Sequence, residues 1–235
     1  MERLFYAPDI VTNPELPEDE SLHCTRVLRL KIGDVITITD GKGFFYEASI
    51  ENIHPKHCQV TVTKRWQQKQ SRDYKIHIAI APTKNMDRME WFVEKTTEIG
   101  IDTITFLQCH HSERNGIKLQ RLIKTAISAM KQSQKAFLPL INEMIDFQQF
   151  ITHKNHHIKM IAHCAENSKQ LIKNIYKLNH DALIMIGPEG DFRQDEINAA
   201  IASGFAPISL GENRLRTETA AFVACHTIHL LNQNM

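Results

Sequence analysis

Two glycine-containing loops, each directly after a short apolar run, constrain most strongly what this chain can fold into. The first loop is Gly187-Pro188-Glu189-Gly190 and follows the run at 183–186, and the second is Gly211-Glu212-Asn213 and follows the run at 208–210. Short apolar runs bounded by turn residues predict strands. Because open α/β sheets bind ligands at the carboxyl ends of their strands, the two loops together predict a ligand crevice.

Either loop taken singly is better explained as an ordinary turn. Gly187 and Gly190 allow backbone conformations and close approaches that a side chain would block, and turn geometry alone can require that. Exposed backbone N–H groups in such loops can also hold a small polar ligand. Charged and hydroxyl side chains are crowded at 214–219, just before an apolar helical run. Thr217 is predicted to be the N-cap of that helix.

The pattern of apolar residues divides the chain in two. Up to about residue 65, short strand-like runs with turn signals, among them Asp40-Gly41-Lys42-Gly43, predict a small β-barrel with one helix at 18–27. A basic stretch at 64–72 is predicted to be a linker, with Trp66 either covering a seam or stacking on a base. We therefore expect one domain at 1–70 and a second at 71–235.

Alternating strands and helices from Lys75 onward predict an α/β domain. The expected strands lie at 76–81, 103–107, 158–162, 183–186 and 208–210. The expected helices lie at 88–99, 118–136, 168–178, 194–203 and 218–231.

The composition excludes several classes of protein. There are 28 Lys and Arg residues against 27 Asp and Glu, a formal net charge of +1, so any nucleic-acid surface must be local. The 5 cysteines are scattered without a Cys-x-x-Cys pair, as is typical of reduced thiols in the cytoplasm rather than of disulfides or zinc sites. No apolar run reaches membrane-spanning length. We expect a cytoplasmic protein with no membrane partner.

Several kinds of catalytic site are also disfavoured. The chain has no Gly-x-Gly-x-x-Gly, no Walker loop and no Gly-x-Ser-x-Gly. The histidine pairs 110/111, 156/157 and 226/229 lack the acids or thiolates that complete a metal site, so solvated or satisfied histidines are favoured and no metal is expected. A local basic excess at 113–135 either is a solvated helix face or binds phosphates.

The sequences IGPEG at 186–190 and LGENRLRTETA at 210–220 together resemble the ribosomal RNA uracil-N3 methyltransferases of the RsmE type, in the SPOUT superfamily. The resemblance extends over nearly the whole chain. Further matching blocks are Arg26-Val27-Leu28-Arg29 with Gly33-Asp34, Lys84, EKTTEIG at 94–100, Ser112-Glu113-Arg114 and Gln132-Ser133.

The family implies a fold, a cofactor and partners. The fold is an α/β domain with a deep C-terminal trefoil knot, preceded by a PUA-like β-barrel that binds RNA. The cofactor is S-adenosylmethionine, and the substrate is N3 of one uridine of 16S rRNA in the small ribosomal subunit. The implied assembly is a homodimer.

The resemblance also implies roles for particular residues. Arg216 is expected to stabilise the uridinate oxygens, and Glu218 or Glu189 to accept the N3 proton, although Glu189 equally fits a structural role in its loop. The expected cofactor-binding residues are Ile186, Gly187, Pro188, Glu189, Gly190, Leu210, Gly211, Leu215, Arg216 and Thr219. The expected RNA-binding residues are Arg26, Arg29, Lys84, Arg114, Lys124, Lys131 and Lys135.

The chain departs from the family pattern in places. The family often has Gly-x-Arg where this chain reads Gly211-Glu212-Asn213-Arg214, which leaves open whether Arg214 or Arg216 plays the family's loop role. Lys135 replaces a frequent arginine, which weakens any expectation of bidentate phosphate binding there. Two rival classes remain: a SPOUT enzyme acting on transfer RNA or another base, and an RNA-binding protein without enzymatic activity.

Overall fold

A computed structural model describes residues 4–69, 72–153, 157–165 and 169–233 of the chain. The chain forms two compact units. The first comprises Met1–Ser71 and Ile127–Leu138, and the second comprises Arg72–Ala126 and Pro139–Met235.

The strands of the described residues are β1 Leu4–Tyr6, β2 Val35–Thr39, β3 Phe44–Asn52, β4 Gln59–Gln67, β5 Ile76–Ile80, β6 Thr103–Gln108, β7 Leu140–Asp146, β8 Ile158–Ala162, β9 Gln170–Leu171, β10 Ala182–Ile186 and β11 Ala206–Ser209. The helices are α1 Glu18–Leu22, α2 Met86–Ile99, α3 Leu119–Gln132, α4 Phe147–Ile151, α5 Ile172–Ile175, α6 Gln194–Ala202 and α7 Thr217–Asn232.

The first unit contains a sheet of order β1-β2-β3-β4. β1 runs parallel to β2, and the remaining pairs are antiparallel. The turn between β2 and β3 is the predicted one, and Asp40 Oδ1 stabilises it by accepting hydrogen bonds from the N–H groups of Lys42 (2.7 Å) and Phe44 (3.1 Å). The inner face packs into a buried core that includes Phe5, Ile38 and Tyr46.

The helix expected at 18–27 is confirmed, as α1 followed by a π-helical turn, His23–Val27. One prediction for the first unit needs correction. The stretch expected to be a linker from residue 64 is instead part of β4 as far as Gln67. Aromatic contacts with the neighbouring strand hold it there, because the Trp66 ring stacks on Phe45 (centroids 5.7 Å apart) and the Arg65 guanidinium lies 3.8 Å from the centroid of Phe44.

The second unit is built on a parallel sheet. Among the described residues its strand order is β7-β6-β5-β10-β8-β11-β9, and every pair is parallel. α2 and α7 pack against each other. One buried core cluster of this unit includes Leu107, Phe147, Ile161, Met185 and Phe192. The predicted α/β class with strand–helix alternation is confirmed.

Some elements of the second unit were missed or misplaced. The helix expected at 168–178 is β9 followed by the short α5, and Ser168 itself lies outside the described residues. α3 ends at Gln132 instead of 136. Neither β7 nor α4 was predicted from the sequence. β7 lies at the edge of the sheet, and its apolar residues come in adjacent pairs instead of alternating with polar ones.

Candidate active site

The predicted crevice is a cavity of about 610 Å³ at the carboxyl ends of β8, β10 and β11. These strands are neighbours in the sheet, with β8 in the middle, so the loops that follow them converge. The volume falls within the range of ordinary small-molecule sites, about 300–1,000 Å³. The residues that line the cavity include Arg88, His163, Lys169, Ile186, Glu189, Leu210, Arg214, Leu215 and Arg216.

Most residues that the resemblance assigned to the cofactor lie in the wall of this cavity. They are Ile186, Gly187, Pro188, Glu189, Leu210, Gly211, Leu215 and Arg216. Three other expected site residues do not line it: Gly190, Glu218 and Thr219. Glu218 and Thr219 line a smaller neighbouring pocket instead, together with Asp87, Arg88 and Trp91.

The glycines of the first loop lie close to neighbouring side chains. A Cβ on Gly187 would lie 3.0 Å from the Phe192 ring, and one on Gly190 would lie 3.1 Å from Cβ of His111. From the sequence, turn geometry or the close approach of a ligand explains both glycines. In the structure each makes room for a neighbouring side chain.

Two arginines stand at the cavity on either side of Leu215. Arg214 and Arg216 are both exposed and both line the cavity. Arg216 is the N-cap of α7, so the predicted N-cap Thr217 is corrected by one position. The Thr217 hydroxyl donates instead to the carbonyl of Gly187 (3.2 Å), which ties the start of α7 to the first glycine loop.

The two acids proposed as proton acceptors have different surroundings. Glu189 Oε1 already accepts a hydrogen bond from the backbone N–H of Lys84 (3.1 Å). The Glu218 side chain is 9% exposed, and its Oε1 lies 3.8 Å from Nε of Arg88. Its Oε2 is buried and has no hydrogen-bond partner among the described residues. Arg88 therefore links the small pocket to the cavity, and sequence reasoning missed it because it lies within an ordinary amphipathic helix.

Two of the expected RNA-binding residues lie together near the first glycine loop. Arg114 Nε donates to the carbonyl of Lys84 (2.9 Å), and Lys84 Nζ forms an ion pair with Glu113 (3.2 Å). Through the hydrogen bond between Lys84 and Glu189, this pair is joined to the wall of the cavity.

The other expected RNA-binding residues are not among those that line the cavity. Arg26 and Arg29 are exposed in the first unit, and Arg29 has a positive φ of 52°. Lys124 is exposed on α3, and Lys135 is half-buried beyond its end. Lys131 differs from the expectation of a phosphate-binding face, because its ammonium forms an ion pair with the largely buried Glu20 (2.6 Å).

The third wall of the cavity follows β8, and no sequence motif predicts it. His163 and Lys169 belong to this wall. Burial lowers the pKa of His163, the positive charge of Lys169 lowers it further, and Asp191 opposes both. The His163 imidazole is therefore neutral at pH 7.

The described residues contain no group of three or more His, Cys, Asp or Glu side chains positioned for a metal ion. The histidines considered from the sequence have other contacts: His111 Nδ1 lies 3.0 Å from the carbonyl oxygen of Asp191, His226 stacks on Phe222, and Nδ1 of His229 lies 2.9 Å from the Tyr74 hydroxyl. His156 lies outside the described residues. None of the described helices is both long and apolar enough to span a bilayer.

The sheet and its cavity correspond to a known class of enzyme. A family model described as an RNA methyltransferase domain matches residues 48–229, and a model described as an RNA methyltransferase PUA domain matches residues 16–63. The fold and the cavity are thus those of an RNA methyltransferase domain with an N-terminal PUA domain.

Relatives and solved structures narrow the class. The chain is 33% identical to the ribosomal RNA small subunit methyltransferase E of Buchnera aphidicola, over 88% of this chain and 83% of the relative. It is 47% identical to a structure described as a probable rRNA-methyltransferase from Porphyromonas gingivalis, with a TM-score of 0.93 and 98% of each chain covered. A Legionella pneumophila structure described as a methyltransferase with bound SAM is 28% identical, with a TM-score of 0.90 and full coverage of both chains.

The chain belongs to the ribosomal RNA small subunit methyltransferase E family. The resemblance drawn from the two glycine loops is thereby confirmed.

Proposed function

We propose that this chain methylates N3 of one uridine of 16S rRNA in the small ribosomal subunit, with S-adenosylmethionine as methyl donor. Membership of the family supports the general activity, which is S-adenosylmethionine-dependent methylation of small-subunit rRNA. The observation that supports the position of the site is the cavity, in which both glycine loops and two arginines meet at the ends of three adjacent strands.

The cavity residues fit the cofactor. Ile186, Leu210 and Leu215 supply apolar surface for a nucleoside, and the glycine loops supply backbone polar groups beside it. The buried ring nitrogens of His163, which have no hydrogen-bond partner within the part of the chain that the structure describes, offer further hydrogen bonds. When bound, the cofactor supplies an activated methyl group on a sulfonium.

The protein must then hold N3 of uracil in line with the methyl group and stabilise the uridine as an anion. Positioning removes the entropic cost of bringing the two reactants together. We assign the stabilisation of the uridinate oxygens to Arg216, because its exposed guanidinium stands in the cavity wall beside the positive N-terminal end of α7.

We assign the proton acceptor to Glu218 ahead of Glu189. The Glu189 carboxylate is already used to hold the backbone of Lys84. One oxygen of the Glu218 carboxylate has no hydrogen-bond partner among the described residues. Glu218 lines the smaller pocket next to the cavity, and Arg88 lines both the pocket and the cavity.

We propose residues 1–70 as the RNA-binding domain and residues 71–235 as the methyltransferase domain, with a C-terminal trefoil knot. Strand order supports the knot, since β11 lies between β8 and β9, although β8 and β9 follow one another in the chain. Lys84 and Arg114 are proposed to contact RNA at the cavity, and Arg26, Arg29, Lys124 and Lys135 to contact it elsewhere. The substrate implies a cytoplasmic location.

We propose a homodimer that associates through α2 and α7. Phe222, His226 and Leu230 form one stripe of α7 at four-residue spacing, and Trp91 of α2 packs on Phe222 with ring centroids 5.5 Å apart. Trp91 is 40% exposed and Leu230 is 50% exposed. Exposed aromatic and aliphatic side chains grouped on adjoining helices are typical of an association surface.

Mass spectrometry of nucleosides from a strain lacking the gene tests the proposal. We expect N3-methyluridine to disappear from 16S rRNA and transfer RNA modifications to be unchanged. Loss of a transfer RNA modification with intact 16S rRNA would contradict the proposed substrate. Complementation with the Arg216→Ala variant should fail to restore the modification to its normal level.

A further inference from the structure

His163 occupies a central place in the cavity. It directly follows β8, the strand between β10 and β11, so it lies between the two glycine loops that follow those strands. Its side chain belongs to the cavity wall, and the residue is only 7% exposed.

Neither ring nitrogen of His163 has a hydrogen-bond partner among the described residues. Buried polar atoms are nearly always paired, because an unpaired one loses its hydrogen bonds to water without replacement. His163 has two such atoms at the wall of the cavity, and a bound ligand would supply hydrogen-bond partners for them.

The surroundings of the imidazole determine its charge. Lys169 Nζ donates to the carbonyl of His163 (3.1 Å), and Asp191 Oδ2 accepts from the N–H of Cys164 (2.7 Å). Burial and the charge of Lys169 lower the pKa of the imidazole and so favour its neutral form. Asp191 raises this pKa, but by less than the other two lower it. The other charged side chains of the cavity are Arg88, Glu189, Glu212, Arg214 and Arg216. A neutral imidazole has one donor and one acceptor nitrogen.

We propose that His163 is a cofactor-binding residue whose neutral imidazole hydrogen-bonds the nucleoside part of S-adenosylmethionine. This inference rests on the proposed function, since it takes the cavity to be the cofactor site. A nucleoside offers hydroxyl groups and ring nitrogens that complement one donor and one acceptor. The neutral form also avoids repulsion between an imidazolium and the sulfonium of the same ligand.

Calorimetric titration of the full-length protein with S-adenosylmethionine and S-adenosylhomocysteine tests the inference. At pH 7.5 we expect His163→Leu to weaken both ligands about 10-fold, the effect of losing one well-made hydrogen bond. His163→Gln, which keeps a donor and an acceptor, should lose less affinity. His54→Gln, at an exposed histidine of the first unit, is the matched control and should bind like the wild type.

The pH dependence of ligand binding tests the charge of the His163 imidazole separately. Between pH 7.5 and pH 5.0, the wild type should lose more affinity for the cationic S-adenosylmethionine than for S-adenosylhomocysteine, which lacks the sulfonium. In His163→Gln this difference should vanish. Thermal melts of each variant establish that it is folded.

Two results would overturn the inference in distinguishable ways. If the wild type binds both ligands and folded His163 variants bind them with wild-type affinity and pH dependence, His163 does not contact the cofactor. If the wild type binds neither ligand, the proposed cofactor site itself is wrong.

Discussion

Arg214 and Arg216 lie two positions apart, are both exposed and both line the cavity, so burial does not distinguish them. Their local structure does. Arg216 is the N-cap of α7, where the helix dipole adds to its positive charge, whereas Arg214 stands in the loop before Leu215. A developing anion is therefore better stabilised at Arg216.

We predict that Arg216→Ala lowers turnover by roughly 10²-fold, with a smaller loss of cofactor affinity, because the cation acts mainly in the transition state. Arg214→Ala is the matched control and should be milder. Single-turnover methylation of small subunits, with cofactor affinity determined separately, measures both. A larger defect for Arg214→Ala would reverse the assignment.

His77 shows how a buried residue far from the cavity limits stability. Its Nε2 lies 2.8 Å from the Thr105 hydroxyl, and burial, reinforced by His157, lowers its pKa to about 4. The unfolded chain takes up a proton at His77 near pH 6.5, but the folded chain does so only near pH 4. The unfolded state therefore binds more protons between these values, and stability falls as the pH is lowered.

We predict that the titration of His77 lowers the free energy of unfolding by about 3 kcal/mol as the pH falls from 6.5 to 4. Urea denaturation across that range measures the loss. The His77→Gln variant should show a flatter pH dependence than the wild type over the same interval. Equal slopes for the two proteins would show that His77 does not titrate as described.

At the scale of elements, the apolar pattern predicted buried strands well and edge strands poorly. β10 is buried along its whole length and was predicted to within one residue at its start. β7 fully buries only Ile141, and the end of β4 is exposed, so contacts with a neighbouring strand decide their conformation. The same holds for β9, whose two residues are both exposed. Such contacts cannot be read from periodicity.

The turn between β2 and β3 permits a prediction about packing. Gly43 has φ +106°, and a Cβ there would lie 2.6 Å from the Phe137 ring. Gly33 has a similar φ of +87°, with nothing within 4 Å of its Cβ position. Both Ala variants adopt an unfavourable backbone conformation, but only Gly43→Ala also forces a side chain to move.

We therefore expect Gly33→Ala to lower the free energy of unfolding by about 1 kcal/mol, and Gly43→Ala by about 2 kcal/mol more. Chemical denaturation of the two variants and the wild type provides the comparison. Equal losses would mean that the contact with Phe137 contributes nothing.

At the scale of the whole molecule, the sequence predicted two of the three cavity walls. The glycine loops carried a recognisable pattern, and the parallel sheet brought them together. The third wall contains His163 and Lys169, and it has no glycine motif. Its position depends on β8 lying between β10 and β11, a strand order set by contacts between distant parts of the chain.

The proposed dimer gives a test at the same scale. Trp91→Arg should convert the dimer to a monomer, because it places a charge in the apolar surface of α2 and α7. Trp66→Arg is the matched control, since Trp66 is a similarly exposed tryptophan (38%) in the first unit. Size-exclusion chromatography with light scattering reports the mass. A monomeric wild type, or a dimeric Trp91→Arg variant, would contradict the proposed surface.

We propose that this chain transfers a methyl group from S-adenosylmethionine to N3 of uridine in small-subunit rRNA. Methyl transfer from labelled cofactor to isolated small subunits taken from a strain lacking the enzyme, followed by identification of the labelled nucleoside, tests this proposal. We predict label in 16S rRNA, recovered as N3-methyluridine and strongly reduced with Arg216→Ala. Label recovered in another nucleoside, or no transfer by a protein that binds the cofactor, would contradict it.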